Sequence, residues 1–125
     1  MIITNHKLNI KGKMNSRCHR NSYLAAKKEN LDLWIGFVVE NHSLKPDKGG
    51  MVYYIHAFNV KDNIVIDCTL GADKELEYTY VGKRVDVEHF KSGDDLFDKI
   101  LWKMYNSISC DMGTLGDLEK SLDII

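Results

Sequence analysis

The sequence predicts an α+β fold in which an N-terminal helix packs on an antiparallel β-sheet and further helices follow. Three observations indicate this class. A helix-forming stretch runs from about Arg17 to Glu29, several β-branched and aromatic segments follow between Leu31 and Val81, and an amphipathic segment begins at Ser92. Strands gathered between two helical regions are typical of a sheet that carries helices on its surface.

The first helix contains residues that favour helical backbone. Leu24, Ala25 and Ala26 lie in its middle, and leucine and alanine have high helix propensity. Asn15 or Ser16 precedes the helix and is a candidate for its N-cap, because a short polar side chain can accept a hydrogen bond from the first turn. The polar residues 1–15 predict a short strand or an extended arm.

Four segments have the composition of strands, and they span residues 31–40, 51–60, 64–70 and 75–81. The second and third are separated by Lys61-Asp62-Asn63, which predicts a three-residue hairpin loop. That loop places His56 opposite Cys68, with Asp67 one step away. A slip of one residue reverses the face of a strand, so this register leaves the relation between His56 and Asp67 open.

The amphipathic segment near the C-terminus is predicted as a helix. Ser92-Gly93-Asp94-Asp95 has the pattern of a capping box. Apolar residues then recur at helical spacing: Leu96, Phe97, Ile100, Leu101, Met104, Tyr105 and Ile108. Gly113 and Gly116 break the pattern, and residues 115–125 predict a short terminal helix.

Length and composition favour one globular domain over residues 1–125. The chain is 44% hydrophobic and 28% charged, with a formal net charge of −1, which gives no electrostatic reason to expect nucleic acid or an anionic membrane. It has no apolar run of ~20 residues and no secretory signal at its start. Three irregularly spaced cysteines favour free thiols, so a reducing, cytoplasmic setting is expected; one disulfide stays open.

A thiol, an imidazole and a carboxylate occur in an order that suits a cysteine nucleophile. Cys18 lies at the start of the first helix, where the exposed N–H groups and the helix dipole lower a thiol pKa. His56 lies within the second predicted strand and can accept the thiol proton. Asp67, in the third strand, can orient the imidazole and stabilise its charged form.

These residues also carry a family resemblance. Cys18-His19-Arg20-Asn21-Ser22, His56-Ala57-Phe58 and Val65-Ile66-Asp67-Cys68-Thr69 resemble motifs of the transglutaminase-like and papain-like cysteine enzymes, including small bacterial and phage members. The resemblance covers roughly residues 15–70 and departs from the common pattern at Phe58 and Cys68, where tryptophan and proline are usual. It implies a Cys18–His56–Asp67 triad, attack on an amide carbonyl of a protein or peptide by hydrolysis, deamidation or acyl transfer, and no cofactor.

Three further residues near the nucleophile are candidates for oxyanion or substrate contacts. Asn15 precedes Cys18, although helix capping is the commoner use of such a residue. His19 is a candidate surface or cleft residue. Asn21 lies one turn after Cys18 and either contacts a substrate or belongs to a polar helix face. The Cys18 backbone N–H is also placed to point into an oxyanion hole.

Other interpretations of the same residues stay open. A lone helical cysteine is often a small buried apolar residue, and an aspartate at a strand end is often a turn residue. Cys18, His19, His56 and Cys68 are possible zinc ligands, but the paired Cys-x-x-Cys spacing of structural zinc sites is absent, so no metal site is predicted. The alternative function is a non-catalytic protein-binding module or inhibitor with an exposed face of aromatics, drawn from Tyr53, Tyr78 and Tyr80.

Overall fold

The computed structural model describes residues 2–3, 6–8, 17–45, 50–67, 78–107 and 112–125, with the backbone alone for the first two segments. The α+β prediction is confirmed. An N-terminal helix, α1 (Cys18–Glu29), packs on a sheet whose four central strands are antiparallel, and helices follow the sheet. This arrangement places the start of α1 against the middle of the sheet.

Six strands form the sheet, and they are β1 (Ile2–Ile3), β2 (His6–Leu8), β3 (Asp32–Glu40), β4 (Tyr53–Lys61), β5 (Ile64–Asp67) and β6 (Tyr78–Val85). Their spatial order is β1-β6-β3-β4-β5-β2. The short β1 pairs antiparallel with β6, and β2 pairs parallel with β5. The four long predicted strands therefore occur, but β6 runs to Val85 rather than to Val81, because its pairing with β3 continues to Leu33.

Helix α1 begins one residue later than predicted and ends at Glu29, as predicted. Arg17 occupies the N-cap position and its side chain makes no capping hydrogen bond, so Cys18 is the first helical residue. The predicted caps, Asn15 and Ser16, lie outside the described residues. At the other end Asn30 adopts the left-handed conformation with φ 55°, a common way for a helix to stop.

The hairpin of β4 and β5 has a different register from the predicted one. The turn consists of two residues, Asp62 and Asn63, with φ of 52° and 62°, as a type I′ turn requires. Val60 therefore pairs with Val65, and the predicted three-residue loop is wrong. Continuing this register brings Asp67 level with Phe58, which puts Asp67 on the same face as His56.

The two faces of the sheet carry separate apolar clusters. One cluster lies under α1 and the C-terminal helices, and includes Leu33, Phe37 and Ala57. The other lies on the opposite face and consists of Trp34, Val38, Phe58, Val60, Val65, Tyr78 and Tyr80. Alternate residues of a strand point to opposite faces, so neighbouring residues of β4 contribute to both clusters.

The C-terminal helical region is interrupted by a π-helical turn. Helix α2 (Gly93–Leu96) leads into π-helical residues Phe97–Leu101 and then into α3 (Trp102–Ser107). Ser92 caps α2, since its hydroxyl accepts a hydrogen bond from the Asp95 N–H at 3.1 Å. After residues 108–111, which are not described, α4 (Leu115–Ser121) and a 3₁₀ turn (Leu122–Ile124) follow. Residues 85–90, for which no element was predicted, contain a 3₁₀ turn (Val87–His89).

A glycine sets the distance between α1 and α2. A Cβ atom at Gly93 would lie 2.6 Å from the Arg20 Cα and 3.0 Å from the His19 carbonyl oxygen. Both are backbone atoms of α1, which cannot move away without shifting the helix. Arg20 also makes an exposed ion pair with Asp94, with N···O distances of 2.8 and 3.1 Å. Solvent screens an exposed pair of this kind and leaves it weak, so the close approach at Gly93 is the stronger constraint.

We expect Gly93→Ala to lower the free energy of unfolding by roughly 1–3 kcal/mol, as overpacking commonly does. The higher helix propensity of alanine, about 1 kcal/mol, opposes the clash but does not remove it. Urea unfolding measures the difference. Gly113→Ala is the matched control, because a Cβ atom there meets nothing within 4 Å. Equal stabilities of the two variants would contradict the packing argument.

Candidate active site

Three elements bring together the predicted thiol, imidazole and carboxylate. Cys18 is the first residue of α1, His56 lies in the middle of β4, and Asp67 is the last residue of β5. Cys18 is partly exposed, whereas the His56 and Asp67 residues are only 4% and 0% exposed. Exposure therefore decreases from Cys18 to the Asp67 carboxylate.

Asp67 accepts two hydrogen bonds at one carboxylate oxygen. The His56 Nε2 lies 2.8 Å from Asp67 Oδ2, and the Tyr80 hydroxyl donates to the same oxygen at 2.7 Å. A carboxylate without exposure needs such partners to remain ionised. Because His56 Nε2 is bound to Asp67, Nδ1 is the ring nitrogen left to exchange a proton with the thiol.

Cys18 interacts with two groups of β4. Its sulfur is hydrogen-bonded to the His56 side chain and to the Ala57 backbone N–H. Among the described residues, the last pair between β4 and β5 toward the N-terminal end of β4 is Asn59–Ile66. Ala57 lies two residues beyond this pair, nearer the N-terminal end of β4. The thiol thus meets the edge of β4 where β5 no longer pairs with it.

The electrostatics of the site favour a thiolate next to an imidazolium. Burial alone raises the pKa of the Cys18 thiol, but the hydrogen bond and positive charge of His56, together with the Ala57 N–H, outweigh burial and lower that pKa. Burial alone lowers the pKa of His56, but the charge and hydrogen bond of Asp67, with Cys18, raise it to about 10. The two shifts describe one coupled ion pair.

Aromatic side chains hold the imidazole from the face of the sheet opposite α1. The Phe58 ring stacks on His56 with centroids 6.1 Å apart and planes at 17°, and Tyr80 packs on Phe58 at 4.9 Å. A Cβ atom at Gly82 would lie 2.7 Å from Phe58 Cζ. Glycine at this position therefore gives the Phe58 ring the space in which it supports His56.

A buried amide joins the helix of Cys18 to the strand of His56. Asn59 is fully buried, and its Nδ2 donates to the Ser22 carbonyl at 2.9 Å and to the Asp32 carbonyl at 3.3 Å. Ser22 in turn donates its hydroxyl to the Cys18 carbonyl at 2.6 Å. These bonds fix the first turn of α1 against β4 and so fix Cys18 relative to His56.

The other candidate residues take different positions. The His19 ring packs on Phe97 at 5.1 Å and its Nε2 lies 3.6 Å from Asp94 Oδ1, so α2 and the π-turn hold it. Burial is the largest influence on His19 and lowers its pKa. Asn21 is half-buried on α1. Asn15 lies outside the described residues, as do Cys68 and Cys110.

The aromatic surface near the site differs from the predicted one. Tyr78 and Tyr80 are buried at 7% and 0% exposure, because both belong to the aromatic cluster of the sheet, so the predicted tyrosine face is wrong. Exposed rings occur instead at Tyr54 of β4, at 53%, and at Trp102 and Tyr105 of α3, at 58% and 56%. The pKa of Tyr105 is raised by burial and by the charge of Cys18, which places this ring near the thiol.

Three features of the site were not found from the sequence. Tyr80 gave no signal, because a tyrosine in a strand is ordinary. The Ala57 N–H is a backbone group, and no residue type reveals its role. Asn59 did carry a signal, since asparagine is depleted in strands and here it stands within Ala57-Phe58-Asn59-Val60.

Within the described ranges, no helix has both the length and the apolar character needed to cross a bilayer, and no group of three or more His, Cys, Asp or Glu side chains is arranged to hold a metal ion. No protein-family model matches the chain, and neither the curated proteins nor the solved structures contain a significant match.

The ion pair predicts an unusual pH dependence for alkylation of Cys18. Because the pKa of Cys18 is lowered and that of His56 is raised, more of Cys18 is thiolate at a given pH than of an ordinary thiol, and this thiolate is lost as pH falls through the lowered thiol pKa. We expect iodoacetamide to modify Cys18 at pH 6 far faster than a thiol of pKa ~8.5, of which about 0.3% is ionised at that pH. Mass spectrometry of each cysteine-containing peptide measures the rates.

His56→Ala should slow the reaction of Cys18 at pH 6 roughly ten-fold or more, because each pKa unit changes the thiolate fraction ten-fold below the pKa. His89→Ala is the matched control, since the His89 side chain is 77% exposed and lies outside the site. Equal and slow labelling of Cys18, Cys68 and Cys110 would contradict the ion pair.

Proposed function

We propose that this protein is a cysteine-dependent hydrolase or acyltransferase of the papain-like or transglutaminase-like type, which acts on an amide carbonyl of a protein or peptide. The observation that carries the proposal is the His56 imidazole, bonded through Nε2 to the buried Asp67 and through its other side to Cys18. A base oriented by a third group next to a nucleophile is the arrangement of nucleophilic catalysis.

The first half of the proposed reaction acylates Cys18. The thiolate attacks the carbonyl carbon, and the carbonyl electrons move to oxygen. The Cys18 N–H lies at the start of α1, where Arg17 provides no side-chain cap, and is the proposed donor to that oxyanion. As the C–N bond breaks, the His56 imidazolium gives its Nδ1 proton to the departing amine, and a thioester remains on Cys18.

The second half releases the acyl group. The neutral His56 takes a proton from water or from an acceptor amine, which attacks the thioester carbonyl. The C–S bond breaks and the thiolate–imidazolium pair is restored. Water as acceptor gives hydrolysis or deamidation and an amine gives transfer, so the acceptor distinguishes the three members of the proposed class.

The proposed family assignment rests on motif and geometry. The order of the three groups along the chain and their positions at a helix start and on two adjacent strands support it. Phe58, which stands where the family usually has tryptophan, still places an aromatic ring against His56. The free thiol of Cys18 supports a reducing, cytoplasmic setting.

Acylation by p-nitrophenyl acetate tests the nucleophile without knowledge of the natural substrate. We expect a burst of p-nitrophenolate equal to the protein concentration, followed by slow turnover, and an acetyl group on Cys18 detected by mass spectrometry. Cys18→Ala should abolish the burst, whereas Cys110→Ala should keep it. A burst that survives in Cys18→Ala, or none in the wild type, would overturn the proposal.

The acyl acceptor can then be identified with casein as a probe substrate. Ammonia release alone indicates deamidation, incorporation of dansylcadaverine indicates transfer, and new peptide termini indicate proteolysis. His56→Ala should lower whichever rate is observed by at least ~100-fold, the lower range for a positioned acid–base group.

The second candidate is a non-catalytic protein-binding module, favoured by one observation. Trp102 and Tyr105 are exposed aromatic side chains of α3, and Tyr105 lies near the thiol. Such residues are enriched at protein interfaces. A binding module would show no acetylation of Cys18, and its partner would bind the Cys18→Ala variant unchanged but lose affinity for Trp102→Ala.

A further inference from the structure

Tyr80 reaches the site from a strand that is adjacent to neither β4 nor β5, the strands that carry His56 and Asp67. Tyr80 belongs to β6, and β3 lies between β6 and β4. Gly36 of β3 pairs with His56 on one side and with Gly82 on the other, so no side chain of β3 stands at that position. The Tyr80 ring crosses this gap, packs 6.4 Å from the His56 ring and donates its hydroxyl to Asp67.

The hydroxyl of Tyr80 shares an acceptor atom with His56. Both groups bind Asp67 Oδ2, at 2.7 and 2.8 Å. The two donors share the negative charge of one oxygen. Each hydrogen bond to that oxygen therefore weakens the other hydrogen bond. The hydroxyl therefore acts on the imidazole through the carboxylate and not by direct contact.

We propose that Tyr80 is a positioning residue of this active site, which fixes the Asp67 carboxylate and limits how firmly that carboxylate retains the His56 imidazolium. The inference rests on the proposed function and adds a fourth side chain to it. Tyr80 exchanges no proton with the substrate. Its effect is to keep the imidazole able to give up its Nδ1 proton during acylation and to be neutral during deacylation.

The titratable groups around His56 can be named for each neighbouring element. Cys18 faces it from α1, Asp67 from β5 and Tyr80 from β6; Tyr78 lies within electrostatic range of Tyr80. Burial, Asp67 and Tyr78 all raise the pKa of Tyr80. The phenol thus stays protonated at every pH at which the site can work, and remains a donor.

The test uses the Tyr80→Phe variant of the full chain. This substitution keeps the packing of the ring on Phe58 and removes only the hydroxyl. Tyr23→Phe is the matched control, because Tyr23 is buried on α1 and donates to the Phe90 carbonyl at 3.3 Å, away from the triad. Each protein is alkylated at Cys18 to remove the thiolate, and the His56 ring is titrated by NMR.

We expect the His56 pKa in Tyr80→Phe to rise by roughly 0.5–1 unit, since the carboxylate loses one donor and binds the imidazolium more tightly. Deacylation of the acetylated protein at pH 7 should then fall about 3–10-fold, because less of the imidazole is neutral. Tyr23→Phe should leave both values unchanged. A His56 pKa and a deacylation rate in Tyr80→Phe equal to those of the wild type would overturn the inference.

The alkylated protein titrates whether or not it hydrolyses any ester. A wild type without a burst therefore refutes the proposed function, whereas an unchanged His56 pKa refutes the role of Tyr80 alone. Should Tyr80→Phe fail to fold, wild-type protein labelled with ¹³C at tyrosine Cζ provides the second measurement. The Tyr80 resonance should move as His56 titrates, and a resonance that stays fixed would overturn the inference.

Discussion

The two-residue turn at Asp62 and Asn63 is the constraint on which the site depends. Both residues have positive φ, so β4 and β5 join without a third loop residue. A loop one residue longer would turn Asp67 to the face that α1 covers, while His56 would stay on the other. The Asp67 carboxylate would then not reach the imidazole, and Cys18 would face a His56 ring without its hydrogen bond to Asp67.

The charges of the site form an alternating row across the sheet. The Ala57 N–H donates to the Cys18 sulfur, the sulfur faces the His56 cation, the cation faces Asp67, and Tyr80 donates to Asp67. Each anion therefore has a neutral donor on one side and the same cation on the other. Buried charges persist only when they are paired and hydrogen-bonded, and this row satisfies both conditions with five groups.

Much of the fold followed from the sequence because it depends on local patterns. Helix α1, the antiparallel strands and the C-terminal helical region were predicted from propensity and from apolar spacing. The register of β4 and β5 was not, since Lys61-Asp62-Asn63 is compatible with a two- or a three-residue turn. The choice depends on φ at Asp62 and Asn63, which residue type alone does not determine.

The residues of the candidate site also divide into those that local sequence reveals and those that only the fold brings in. Cys18, His56 and Asp67 have reactive side chains, so their order was informative before any contact was known. Tyr80 and Ala57 become part of the site only through pairings that span the sheet, and Tyr80 depends on the missing side chain of Gly36. Non-local pairing of this kind leaves no periodic signal in the sequence.

The uneven burial of these five groups bears on whether they stabilise the fold or take part in a reaction. A buried ion pair contributes little net stability compared with apolar residues of the same size, so stability alone is a weak reason to retain Asp67, His56 and Tyr80 in an apolar sheet. Cys18, at the other end, is partly open to solvent and lies near Tyr105. In the proposed reaction a carbonyl meets the thiolate at the partly exposed end of the row, and water is kept from the buried His56–Asp67 bond. That asymmetry fits the proposed acyl transfer and supports the catalytic proposal.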